Sequence, residues 1–175
     1  MRTFISGGCK NGKSYYAQRL AQSAGQPLYY IATMIPHDEE DQARIRRHRD
    51  ERDGWGFETL ECGTGILSCL ENADPAGSFL LDSVTALLSN EMFAPDGFHP
   101  EAPERVAGEL VELVGRVSNI VLVSDYIYSD AALYDDWTEA YRRGLAHVDR
   151  ALARACDCVI EVASGQMFCY KGELP

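Results

Sequence analysis

Gly7-Gly8-Cys9-Lys10-Asn11-Gly12-Lys13-Ser14 carries residue types at a spacing that suits phosphate chemistry. The stretch fits G-x-x-x-x-G-K-[ST] without a gap, after the β-prone run Arg2-Thr3-Phe4-Ile5-Ser6 and before a helical pattern. Glycines let the backbone curl so that successive N–H groups point at phosphate oxygens, where a side chain would block their approach. The helix beginning near Lys13 adds its free N–H groups and the positive end of its dipole. Lys13 is expected to reach the β- and γ-phosphates, and the Ser14 hydroxyl to hold Mg²⁺. A carboxylate at the end of an apolar strand is the usual companion of such a loop. Two strands supply one: Ser78-Phe79-Leu80-Leu81-Asp82 and Asn119-Ile120-Val121-Leu122-Val123-Ser124-Asp125. Spacing does not separate Asp82 from Asp125 as the metal partner.

A second candidate lies in the charged segment from Asp38 to Asp53, acidic at first (Asp38, Glu39, Glu40, Asp41) and then basic (Arg44, Arg46, Arg47, Arg49, Arg52). That order complements a helix dipole, and most of these charges read as a solvated helix face. Helical spacing puts Arg44, His48 and Arg52 on one stripe. Cations around an imidazole disfavour its protonation and keep it nucleophilic near neutral pH.

The elements that must position these groups follow from the rest of the chain. Its 175 residues suit one domain, 1–175, and the net charge of −11 argues against nucleic-acid or anionic-membrane partners. No apolar run approaches a membrane span and the chain opens straight into a strand, so a cytoplasmic protein is expected. The six cysteines (Cys9, Cys62, Cys69, Cys156, Cys158, Cys169) lack C-x-x-C spacing and read as reduced, mostly buried thiols, with Cys9 a small filler in the loop. Strands are expected at 28–33, 57–61, 78–82, 119–125 and 159–162, and helices at 13–23, 65–71, 84–93, 101–117 and 137–156. Residues 94–100 read as a loop, with His99 exposed, and 126–137 as a loop over the site. Ser164-Gly165 turns the chain into Met167-Phe168-Cys169-Tyr170. This is an α/β order: a P-loop NTPase fold, mostly parallel, with flanking helices and a C-terminal β-hairpin.

Several stretches together resemble one family, the bifunctional adenosylcobinamide kinase / adenosylcobinamide-phosphate guanylyltransferases of cobalamin biosynthesis. They are Ser6-Gly7-Gly8 through Lys13-Ser14, Tyr30-Ile31-Ala32-Thr33, Arg44-Ile45-Arg46-Arg47-His48-Arg49, and Leu80-Leu81-Asp82-Ser83-Val84-Thr85 with Ser89-Asn90. The resemblance implies that His48 becomes guanylylated by GTP, and that adenosylcobinamide or its phosphate is the acceptor. By similarity, Ala32, Thr33, Met34, Arg49, Asp50, Glu51, Arg52, Glu61 and Asp82 join residues 7–14 around GTP and/or ATP with Mg²⁺. A homotrimer is implied in the same way. The second half departs from the pattern, with Asp125-Tyr126-Ile127-Tyr128 where the family has Asn-Glu-Val-Gly, and His147-Val148-Asp149 for Arg-Val-Asn. Two other outcomes stay open from the residues: a nucleotide-binding regulatory module, or a single-activity kinase for another small alcohol.

Overall fold

The computed structural model describes residues 1–36 and 38–174, with the side chains at 44, 48 and 51 outside the description. Strands β1 (Arg2–Gly7), β2 (Leu28–Ala32), β3 (Glu58–Glu61), β4 (Ser78–Asp82), β7 (Asn119–Asp125), β8 (Cys158–Ala163) and β9 (Gln166–Lys171) form one sheet in the order β3-β2-β4-β7-β1-β8-β9. All neighbours are parallel except β8 and β9, the C-terminal hairpin. Both turn residues of that hairpin, Ser164 and Gly165, have positive φ (51° and 74°), which suits the twist of the flanking strands. The antiparallel pair β5 (Phe93–Ala94) and β6 (Gly97–Phe98) replaces part of the loop expected at 94–100. Two-residue strands carry no periodicity that a sequence pattern could reveal.

Helices cover both faces, and strand alternation decides which side chain meets which helix. Phe79, Leu81, Ile120 and Leu122 point into a layer filled by α3 (Val84–Met92), α4 (Ala102–Arg116) and α5 (Asp136–Ala155). Leu80, Val121 and Val123 point the other way, against Ala17 and Ala21 of α1 (Lys13–Ser23). Strands buried on both faces explain the nearly unbroken apolar runs at β4 and β7. Leu110 and Leu113 of α4, with Leu145, Val148 and Leu152 of α5, are fully buried. The expected helix at 65–71 is a 3₁₀ segment, Ile66–Asn72.

The charged segment folds as α2 (Glu39–Arg52). Asp38 caps it by accepting from the Asp41 N–H at 2.8 Å, with acids in the first turn and arginines in the last. Burial pushes the Cys69 and Cys156 thiols up to about 12, so these cysteines act as apolar filling. Cys9 is exposed rather than packed as filler.

Candidate active site

The loop between β1 and α1 is curled by two left-handed residues, Lys10 (φ 56°) and Gly12 (φ 94°), the latter at the N-cap of α1. It sits tightly on the sheet. A Cβ at Gly7 would fall inside van der Waals contact with the Val162 carbonyl and the Asn11 side chain, and Asn11 Nδ2 donates to that same carbonyl. Lys13 is almost fully buried, and its ammonium donates to the Gly8 carbonyl and to Asp125 Oδ1, each at 2.6 Å.

Register separates the two candidate carboxylates. Glu61, Ala32 and Asp82 stand in one row across β3, β2 and β4, whereas Asp82 is level with Val123 on β7. Asp125 therefore lies two residues further along, level with Gly7 of the phosphate loop. That offset puts Asp125 on Lys13 and leaves Asp82 in the middle of the sheet edge, where Oδ2 accepts from the Tyr30 hydroxyl at 3.1 Å. Thr85 braces Asp125 by accepting from its N–H at 2.9 Å, and Tyr141 donates to the Thr85 carbonyl at 2.8 Å.

Two adjoining cavities open on this edge. The larger, about 820 Å³, is lined by Cys9 to Ser14, Arg47 of α2, Trp55, Asp82, Asp125 and Tyr141 among others. The smaller, about 60 Å³, is lined by Tyr30, Ala32, Met34, Ile45, Arg49, Arg52, Glu61 and Asp82. Met34, Asp82, Ser83 and Ala86 border both, so the phosphate loop and α2 face one continuous depression. Arg49 donates to Glu61 at 2.6 Å. Arg52, expected on the His48 stripe and around the nucleotide, is 7% exposed with its guanidinium 3.4 Å from the centre of the Tyr30 ring, which pins the end of α2 on an aromatic face.

Of the residues expected around the nucleotide, Cys9, Lys10, Asn11, Gly12, Lys13, Ser14, Ala32, Met34, Arg49, Arg52, Glu61 and Asp82 line these cavities. Gly7 and Gly8 underpin the loop. Thr33 does not line either cavity. It is fully buried, and its hydroxyl donates to the Ser83 carbonyl and accepts from the Ser83 N–H, both at 2.8 Å, which ties β2 to the start of α3. Asp50 is exposed and borders neither cavity. The side chains of His48, Glu51 and Arg44 lie outside the described residues, while the α2 backbone carries all three. None of residues 126–137 lines either cavity, and Ile127 and Tyr128 pack partly buried against the core. Trp55 and Tyr141 enter the site without a sequence signal, while Tyr30 and Thr85 lie in the stretches that carry the family resemblance but were not expected to line it.

Beside the loop, Tyr128 donates to Asp149 Oδ2 at 2.8 Å. Asp149 is 4% exposed, and its Oδ1 has no hydrogen-bond partner among the described residues. Burial raises its carboxyl to about 7, and the Tyr128 hydroxyl opposes that rise.

A curled amide loop at a helix N-terminus, a buried lysine and acidic strand ends define a P-loop nucleotide-binding protein. Two solved structures share the architecture. One is a Pyrococcus horikoshii protein (TM-score 0.58, 7% identity, 99% of this chain and 87% of that one). The other is the flagellar accessory protein FlaH of Methanocaldococcus jannaschii (TM-score 0.51, 13% identity, 98% and 78%). The family model "Cobinamide kinase / cobinamide phosphate guanyltransferase" matches residues 3–169, and the chain belongs to that family. The bifunctional adenosylcobalamin biosynthesis protein CobP of Pseudomonas aeruginosa is 32% identical over 99% of both chains. The corresponding protein CobU of Salmonella typhimurium is 30% identical over 94% of this chain and 97% of that one. No helix among the described residues is long and apolar enough to cross a membrane.

Proposed function

We propose that this protein phosphorylates adenosylcobinamide and then transfers GMP from GTP to adenosylcobinamide phosphate through a guanylyl adduct on His48. The observation that carries the reading is the continuous depression shared by the phosphate loop and α2, with Asp82 on the border of its two parts. In the kinase step the aminopropanol hydroxyl of the acceptor attacks the γ-phosphorus of a nucleoside triphosphate, GTP or ATP, and the nucleoside diphosphate leaves. Lys13 and the loop amides neutralise the charge that builds on the phosphoryl oxygens. In the transfer step an imidazole nitrogen of His48 attacks the α-phosphorus of GTP and pyrophosphate leaves. The acceptor's phosphate oxygen then displaces the imidazole, forming the diphosphate bond and freeing His48. Arg47, Arg49 and Arg52 supply positive charge along the face of α2 that meets the cavities.

The Ser14 hydroxyl and the Asp82 carboxylate are hard oxygen donors lining one cleft, a set that fits Mg²⁺ held jointly with phosphate oxygens. Bound there, Mg²⁺ would screen charge on the transferring phosphates. Asp125, engaged by Lys13, orients that ammonium instead. The same proposal includes one nucleotide-binding unit over 1–175, a cytoplasmic location and assembly as a homotrimer.

The deciding experiment incubates the protein with α-labelled GTP and Mg²⁺. An acid-labile, alkali-stable label is expected on the wild type and absent from His48→Ala, while that variant still phosphorylates adenosylcobinamide. Wild-type protein that stays unlabelled would remove the transferase half.

A further inference from the structure

Phe93, Phe98 and Trp137 form an aromatic platform beside the large cleft. Phe98 and Trp137 stack with ring centres 5.5 Å apart and planes 3° from parallel, and Phe93 tilts against Phe98 at 5.4 Å. One face of Trp137 is thus used by Phe98, yet the residue remains 62% exposed. Phe93 is 41% exposed, and the preceding segment adds Leu133 (fully exposed) and Tyr134 (44%). Leaving this much rigid apolar surface in water is unfavourable unless something covers it.

The platform is continuous with the catalytic depression. Tyr141 lines the large cleft, and its ring meets Phe93 with centroids 5.9 Å apart. Its hydroxyl holds the Thr85 carbonyl, and Thr85 in turn holds the Asp125 that grips Lys13. A ligand lying on Trp137 can therefore send a flexible arm past Tyr141 toward the phosphate loop.

The charge around the platform narrows the occupant. Residues 93–101 and 130–137 contain the carboxylates Asp96, Glu101, Asp130, Asp135 and Asp136, and no lysine or arginine. His99 sits between Asp96 and Glu101, whose hydrogen bonds raise its pKa. Arg142, which packs on the Tyr134 ring, is itself bound to Asp130 and Glu139. An acidic rim repels a nucleotide and attracts a cation. A flat cation with an apolar face fits both features.

We propose that the Phe93–Phe98–Trp137 platform seats the cationic corrin macrocycle of the acceptor, with the alcohol-bearing arm running past Tyr141 into the cleft. This rests on the acceptor proposed above and adds the surface that selects it. The platform's role is binding and specificity, remote from the reacting atoms.

The test compares wild type and Trp137→Ala, a replacement at an exposed position, in steady-state phosphorylation of adenosylcobinamide. Sedimentation of both proteins runs alongside. KM for adenosylcobinamide should rise roughly tenfold, the scale of one lost stacking contact, with kcat and the KM for nucleotide unchanged. Diaquocobinamide, which is doubly cationic, should compete better than uncharged dicyanocobinamide on the wild type, and this preference should weaken as salt is added. An unchanged acceptor KM, or loss of assembly in Trp137→Ala, would overturn the proposal, the second by showing that another copy covers the platform. Wild-type protein that binds GTP but neither binds nor phosphorylates any cobinamide would instead overturn the acceptor itself, and the platform's role with it.

Discussion

Lys13 shows how much of the site depends on a single buried charge. Its ammonium is withdrawn from water and balanced by Asp125 at 2.6 Å, so one cation is held in place before any phosphate arrives. Asp149 is the opposite case, a buried carboxyl with a hydroxyl partner on one oxygen and none on the other. Because its pKa is raised to about 7, the folded chain keeps a proton that the unfolded chain gives up near the ordinary carboxylate value. Stability should therefore fall as pH rises across that window and level off above it. Asp149→Asn keeps an acceptor for Tyr128 and removes the titration. It should exceed the wild type in stability at pH 8 by on the order of 1 kcal/mol or more, with the gap closing by pH 4.5. Urea midpoints at the two pH values measure this, and an unchanged pH slope would show that another group is responsible. The family pattern marks Tyr128 and Asp149 separately as departures but not their pairing, which joins the segment after β7 to α5.

Among the elements, the phosphate loop is defined as much by what lies beneath it as by its own glycines. Gly7 is level with both Asp125 on β7 and Val162 on β8, and the Val162 carbonyl occupies the space a methyl group would need. Gly7→Ala should lift the loop from β8, costing roughly 1–3 kcal/mol and weakening GTP binding at least tenfold. Chemical denaturation and titration calorimetry would report the two effects, and normal GTP affinity would mean that the loop tolerates the shift. The position of α2 is legible in sequence from Asp38 and the acid-to-base order, which act locally. Its docking is not, because Arg52 on Tyr30 and Arg49 on Glu61 join residues that are strangers along the chain.

At the scale of the whole molecule, the proposed nucleotide site lies at the C-terminal edge of a parallel sheet, with β7 and β8 flanking the strand that leads into the loop. Ligand binding to that edge couples to the entire fold. Mg²⁺-GTP at a hundred times its Kd should add about 2.7 kcal/mol of stability, a Tm rise of roughly 5–10 °C. Lys13→Ala, which also leaves Asp125 without its partner and so lowers the starting Tm, should lose most of that rise. Differential scanning fluorimetry with and without nucleotide would check it, and an equal shift in both proteins would place GTP elsewhere. The platform at Trp137 belongs to this scale too, for it is assembled from the β5–β6 hairpin and the start of α5.

The sequence alone determined the phosphate loop, the order of strands and helices, the acidic strand ends and the hairpin at the C-terminus. Each of these is written in contiguous residues, where turn chemistry and apolar periodicity act over a few positions. Only the tertiary structure decided that Asp125 partners Lys13 while Asp82 borders both cavities. The two-residue offset between β4 and β7 is set by sheet register, and register is a relation between strands that neither strand contains. For the same reason Thr33 became a strut, Arg52 became a buried anchor, and three aromatic side chains from separate segments became one exposed surface.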